Sequence, residues 1–182
     1  EHRAASDKLL IKLSVRTPDG AEVKIEPNTV LRGALHPTTE RTLSPKAVET
    51  FGRSVTALVV SLPDLFAGKL CAALDRQHPR DLFDVHGLFA AEGITDDIRR
   101  AFVVYLASHD RTMSELLAPH RKDLKQVFVE QFEGMTFAPV SLSDLEHTRE
   151  RLIEQINADL TGDEKEFLLS MKRLYPKWEL LG

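Results

Sequence analysis

The sequence predicts an α+β fold, with a β-rich segment over residues 1–61 and a helical half over 62–182. Three observations predict it. Two strand-like runs near the start flank a turn sequence, the hydrophobic period changes from two to about 3.6 near Pro63, and residues that start helices punctuate the chain beyond that point. The 182 residues are 42% hydrophobic, enough for one sizeable core or one core with a helical extension.

In chain order, KLLIKLSV (8–15) and AEVKIEP (21–27) flank Thr17-Pro18-Asp19-Gly20. Gly20 can take positive φ there, so the pair predicts a β-hairpin. VLRGALH (30–36) and SVTALVVS (54–61) also have strand composition. Pro63 suits a first helical turn, and Pro79 opens a second helix after a Gln-His connection, because proline's missing N–H has no partner at that position anyway. Thr95 caps a third helix, TDDIRRAFVVYLASH, with Asp96 and Asp97 near its positive end. Helices are expected over 120–132 and 141–160, the latter with Leu142, Leu145, Leu152, Ile153 and Ile156 on a core-facing stripe. TGDEKEFLLSMKRL (161–174) follows, broken from it at Gly162, and YPKWELL closes the chain. This gives a small sheet followed by about six helices, without internal repeats or low-complexity tracts.

Acidic residues number 28 against 24 basic, a net charge of −4, so the chain lacks the global basic field of a dedicated nucleic-acid binder. The single Cys71 excludes an internal disulfide and fits a reducing compartment. No apolar run approaches the ~20 residues of a membrane span. Cytoplasmic localisation without a membrane partner is the expectation. Glu1, not Met, stands first, and an upstream segment is expected.

Lys69 is the first candidate for chemistry. On a helix it lies beside Leu65 and Phe66, with Ala72 and Ala73 one turn on, so its stem runs along a strip where a ligand could approach; a snorkelling surface lysine is the plain alternative. Arg80, Asp81 and Asp84 form the second group. Arg80 is spaced to bridge to Asp84, and Asp81 falls in a first helical turn where a carboxylate offsets the dipole. Asp84 sits among core-facing residues, where an unpaired carboxylate would be costly. Glu26 ends the run Val-Lys-Ile-Glu and shares a strand face with Lys24; a solvated face and a metal or base role both remain open for it. His78 and His86 lack zinc spacing, and neither a G-x-x-x-x-G-K loop nor G-x-S-x-G occurs.

Leu62, Leu65, Ala67, Lys69, Leu70, Ala73, Leu74 and Arg76, followed by Arg80, Asp81 and Asp84, resemble the AbiEii/AbiGii toxin family of nucleotidyltransferases. The Val-Lys-Ile-Glu strand with Asn28, and the tail beginning Asp-Glu-Lys-Glu-Phe-Leu, are similar to further segments of that family. The resemblance implies a nucleotidyltransferase-type sheet with a helical C-terminal half, moving a nucleotide from a nucleoside triphosphate to an acceptor, tRNA in some relatives. It implies Lys69 as the phosphate contact with Arg80 beside it, Asp84 and Asp81 ordering the nucleotide site, Glu26 as a magnesium carboxylate, and a cognate antitoxin as partner.

The family's Gly-Ser loop and D-x-D pair do not occur in these 182 residues, and one carboxylate cannot assemble a two-metal site. The chain is therefore expected to be a fragment of an active enzyme or a natural truncation, inactive on its own. Two alternatives stay open. One is a catalytically inactive relative that binds nucleotide or RNA through Lys69 and HRKDLK (120–125). The other is a structural α+β domain in which Lys69 and Asp84 simply pair.

Overall fold

The computed structural model describes residues 13–18, 20–26 and 33–182. The chain divides into two compact units, Glu1–Ala34 and Leu35–Gly182. The expected change from strand to helix composition at residue 61 therefore lies inside the second unit.

In the first unit, β1 (Leu13–Arg16) pairs antiparallel with β2 (Glu22–Ile25), Leu13 opposite Ile25 and Arg16 opposite Glu22. The turn closes as its sequence predicts. Gly20 takes φ 92°, and its N–H donates to the Thr17 carbonyl at 3.0 Å; a left-handed backbone there is nearly free for glycine alone. Residues 8–12 and 27 of the two expected strands lie outside the described residues, as does Asn28.

The second unit begins with another hairpin, β3 (Thr39–Thr42) against β4 (Thr56–Val59), with Thr39 opposite Val59. Its connection carries α1 (Pro45–Phe51), capped by Ser44 and ended by Gly52 in the left-handed conformation. β4 was expected; β3 and α1 were not, because Thr-Glu-Arg-Thr has no apolar alternation. The expected strand over 30–36 is corrected. Residues 30–32 lie outside the described residues, and 33–36 form no strand, because the Leu35 and His36 amides donate to the Asp64 carboxylate instead of to a ladder. Among the described residues the β structure is thus two separate two-stranded sheets.

The helical half follows the sequence signals closely. Helix α2 (Leu62–Arg76) starts at Ser61 and ends at Gln77 in the left-handed conformation; α3 (Pro79–Ala90) starts at His78, and α4 (Asp96–Ala107) at Thr95. Beyond them come α5 (Met113–Leu117), α6 (Lys125–Gln131), α7 (Leu142–Asp159), α8 (Gly162–Lys172) and a short 3-10 turn at Trp178–Leu180. That makes eight α-helices among the described residues, more than the six expected.

The helix expected over 120–132 begins only at Lys125. Gln77 donates to the His120 carbonyl and accepts from the Lys122 N–H, and Arg149 donates to the Lys122 carbonyl at 2.8 Å. Those side chains take the backbone groups a helix would need for itself.

The core lies between the helices. Helix α2 packs on α4 and α3, α3 on α7, and α8 on α4. Ala67, Leu70, Ala73, Leu82, Val85, Ala101, Phe102, Leu145, Leu152 and Phe167 are fully buried. The alanines on α2 and α4 allow close approach, and Phe102 and Phe167 fill the remaining volume. One buried ion pair ties α4 to α8, with Arg99 Nε donating to Glu164 at 3.0 Å.

Candidate active site

Helices α2 and α3 form an antiparallel pair whose motif residues are rungs between them. Lys69 Nζ donates to Asp84 Oδ2. Nearer the turn, Arg76 grips Asp81 with two donors, Nη2 at 2.6 Å and Nε at 3.0 Å. Lys69 and Arg76 are two turns apart on α2, while Asp81 and Asp84 are one turn apart on α3. The mismatch, about 6 Å at 1.5 Å per residue, is within reach of long basic side chains.

The two rungs differ in setting. The side chains of Lys69 and Asp84 are 33% and 41% exposed, whereas that of Asp81, beneath Arg76, is only 14% exposed. Asp84 is thus not the buried carboxylate its neighbours predict, because it lies at the solvent edge of the pair. Arg80 does not bridge to Asp84 either. Its Nε and Nη2 donate to the Gln131 carbonyl at 3.3 and 3.2 Å, fixing the end of α6, and His78 Nε2 meets the Gln131 side chain at 3.1 Å. Glu26 is exposed at the end of β2, in the first compact unit.

Lys69 stands on an accessible stripe of α2 at helical spacing. Leu62 and Leu65 are exposed on its N-terminal side and Arg76 on the other. Apolar surface and a half-exposed cation are therefore neighbours along one helix face.

Asp64 belongs beside these residues and was not singled out from the sequence. Its side chain is wholly buried. Burial alone would raise its pKa, but the Ser61 hydroxyl, the Leu35 and His36 amides and the His36 ring hold it well below the usual carboxylate range. Tyr105 Oη also donates to it, at 2.9 Å. Burial, together with that hydrogen bond and the Asp64 charge, pushes the Tyr105 phenol up to about 12. The available signal was Ser61-x-x-Asp64, a pattern that by itself predicts only a helix start. Cys71 is a buried thiol pushed up to about 12 by burial and the Asp75 charge, so it is no nucleophile.

A groove of about 580 Å³ between α3 and α7 is lined by His86, Phe89, Asp144, His147 and Arg151 among others, and includes neither Lys69 nor Asp84. Among the described residues, no group of three or more His, Cys, Asp or Glu is placed to hold a metal ion. No helix there is long and apolar enough to cross a membrane.

An α+β chain whose helical half presents a lysine opposite an R-D-x-x-D helix defines a class in which a basic side chain and carboxylates meet on a helix pair. The family described as "Nucleotidyl transferase AbiEii toxin, Type IV TA system" matches residues 1–181. The chain belongs to this family, and so to the nucleotidyltransferase toxins of type IV toxin–antitoxin systems. No curated protein and no solved structure matches it.

Proposed function

We propose that this protein transfers a nucleotide from a nucleoside triphosphate to an acceptor such as tRNA, and that its activity is countered by a cognate antitoxin in the cytoplasm. The observation that supports this is the half-exposed Lys69–Asp84 pair. A fully buried pair could not admit a ligand, and an unpaired lysine would be held in no fixed place. At the solvent edge, Asp84 keeps Lys69 Nζ in position, and a triphosphate with several negative charges can draw it away at little reorganisation cost.

On this reading residues 1–61 supply the β-rich remainder of a nucleotidyltransferase core, and 62–182 supply the helical half. Lys69 neutralises phosphate charge. Asp84, released as Lys69 turns to the phosphates, orients the nucleotide or the acceptor hydroxyl. Asp81 with Arg76 holds α3 against α2, and Arg80 anchors α6 beside the site, from which it could reach phosphate only by leaving the Gln131 carbonyl. Family membership suggests metal dependence, with Glu26 as one carboxylate ligand. Among the described residues no group of three or more His, Cys, Asp or Glu is placed to hold the ion, and magnesium is commonly held by one or two carboxylates together with substrate phosphates.

Incubating the full-length protein, together with any sequence encoded ahead of Glu1, with each labelled nucleoside triphosphate, magnesium and total tRNA tests the reading. Label transferred to RNA, and lost on Lys69→Ala, is expected. Triphosphate binding without transfer to any acceptor would place the protein among inactive nucleotide-binding relatives.

A further inference from the structure

We propose that Asp64 is a positioning residue for nucleotide transfer, fixing the chain at Leu35 and His36 to the first turn of the helix that presents Lys69. The inference rests on the reading of Lys69 as the triphosphate contact.

Four helices carry an acid at the third helical position after a Ser or Thr cap, and in one of them, α5 with Glu115, the Thr112 cap makes no side-chain hydrogen bond. In α7 and α8, Asp144 and Glu164 turn back to accept from the N-cap backbone N–H and close reciprocal capping boxes. Asp64 occupies the same position in α2, with its own N–H donating to Ser61 Oγ, but its carboxylate is used differently. Oδ1 accepts from the Leu35 N–H at 2.7 Å and Tyr105 Oη at 2.9 Å. Oδ2 accepts from the His36 N–H at 3.0 Å and the Ser61 hydroxyl at 2.7 Å, and meets His36 Nδ1 at 2.9 Å. A carboxylate offers about four lone-pair sites, so this one is saturated. Starting a helix requires none of the three partners that lie far away in sequence.

Two features connect this cluster to Lys69. Leu35 and His36, the first residues of the second compact unit, meet α2 at the Asp64 carboxylate. Tyr105, on α4, touches α2 at two places: its hydroxyl reaches Asp64, and its ring lies against Gly68, the residue before Lys69, where an added Cβ would stand 3.6 Å from Cε1. The turn and a half from Asp64 to Lys69 is therefore held between an upstream segment and α4. Loosening Asp64 lets that stretch shift relative to both, and a shift of about 1 Å in a charge-positioning group is enough to weaken its action strongly.

The test uses the full chain and its Tyr105→Phe, His36→Ala and Asp64→Asn variants, with Arg100→Ala as an exposed control. Binding of each magnesium–nucleoside triphosphate is measured by titration calorimetry, alongside urea unfolding and amide hydrogen exchange at Leu35 and His36. In Tyr105→Phe and His36→Ala, which each remove one donor and keep the carboxylate, exchange at Leu35 should quicken, and in Tyr105→Phe exchange at His36 as well. Triphosphate affinity per folded molecule should fall about tenfold, the equivalent of one hydrogen bond, while Arg100→Ala binds as wild type. Faster exchange with unchanged affinity in those two variants would make Asp64 a structural residue only and overturn the proposal, whether or not Asp64→Asn folds. A wild-type chain that binds no triphosphate would overturn the reading of Lys69 itself, and that result is distinct because it needs no variant.

Discussion

Lys69 on α2 and Asp84 on α3 are joined across the helix pair with a third or more of each side chain in solvent. Their exposure separates the energetic role of the pair from its chemical one. An exposed ion pair contributes only about 0–1 kcal/mol, and removing Lys69 leaves Asp84 in contact with water. Lys69→Ala should therefore melt close to wild type while transfer falls about 10²–10³-fold, the scale for losing one preorganised electrostatic contact. A large loss of stability with normal activity per folded molecule would favour the structural reading.

Arg76→Ala should behave in the opposite way. It uncovers the Asp81 carboxylate, which is mostly shielded and held by two arginine donors. Leaving such a group without its partner costs about 1–3 kcal/mol. Urea unfolding should thus rank Arg76→Ala as less stable than Lys69→Ala, with transfer rates ranked the other way.

Acid should reveal Asp64. Its carboxyl is held well below the ordinary range, so its contribution is fully present above the unfolded-state value of about 4 and is lost as pH falls through the folded-state value. Asp64→Asn should cost about 3–5 kcal/mol at pH 7, as expected when a buried charge network loses its anion. That deficit should persist down to pH 5 and narrow only below pH 4. Unfolding free energies of both proteins at pH 7, 5 and 3 check this; a deficit that vanishes between pH 7 and 5 would show that another group governs the cluster.

Gly68→Ala should stabilise the protein. Gly68 lies inside α2, where glycine costs about 0.5–1 kcal/mol relative to alanine, and the added Cβ would meet the Tyr105 ring at ordinary contact distance, 3.6 Å. A raised melting temperature is the expected result. A lowered one would mean that the Tyr105 ring cannot accept the contact while its hydroxyl stays on Asp64.

The sequence by itself determined what depends on a few neighbouring residues. The Thr-Pro-Asp-Gly turn, the starts of α2, α3, α4 and α7, and the core stripe of Leu145, Leu152, Ile153 and Ile156 are visible in it because turns, caps and helix periodicity are local. The same signals were available at Ser44-Pro45 for α1, but it was hidden beside a polar strand. Only the tertiary structure decided where the long or charged side chains would go. Arg80 is spaced for Asp84 along α3, yet it reaches the Gln131 carbonyl. Residues 120–124 have helical composition, yet Gln77 and Arg149 claim their backbone. An acid at the third position of a helix looks the same in sequence whether it closes a capping box, as Asp144 does, or takes partners 28 to 41 residues away, as Asp64 does. A carboxylate or guanidinium can satisfy several competing partners equally well from its sequence position, and packing of the helices selects which of them is within 3 Å.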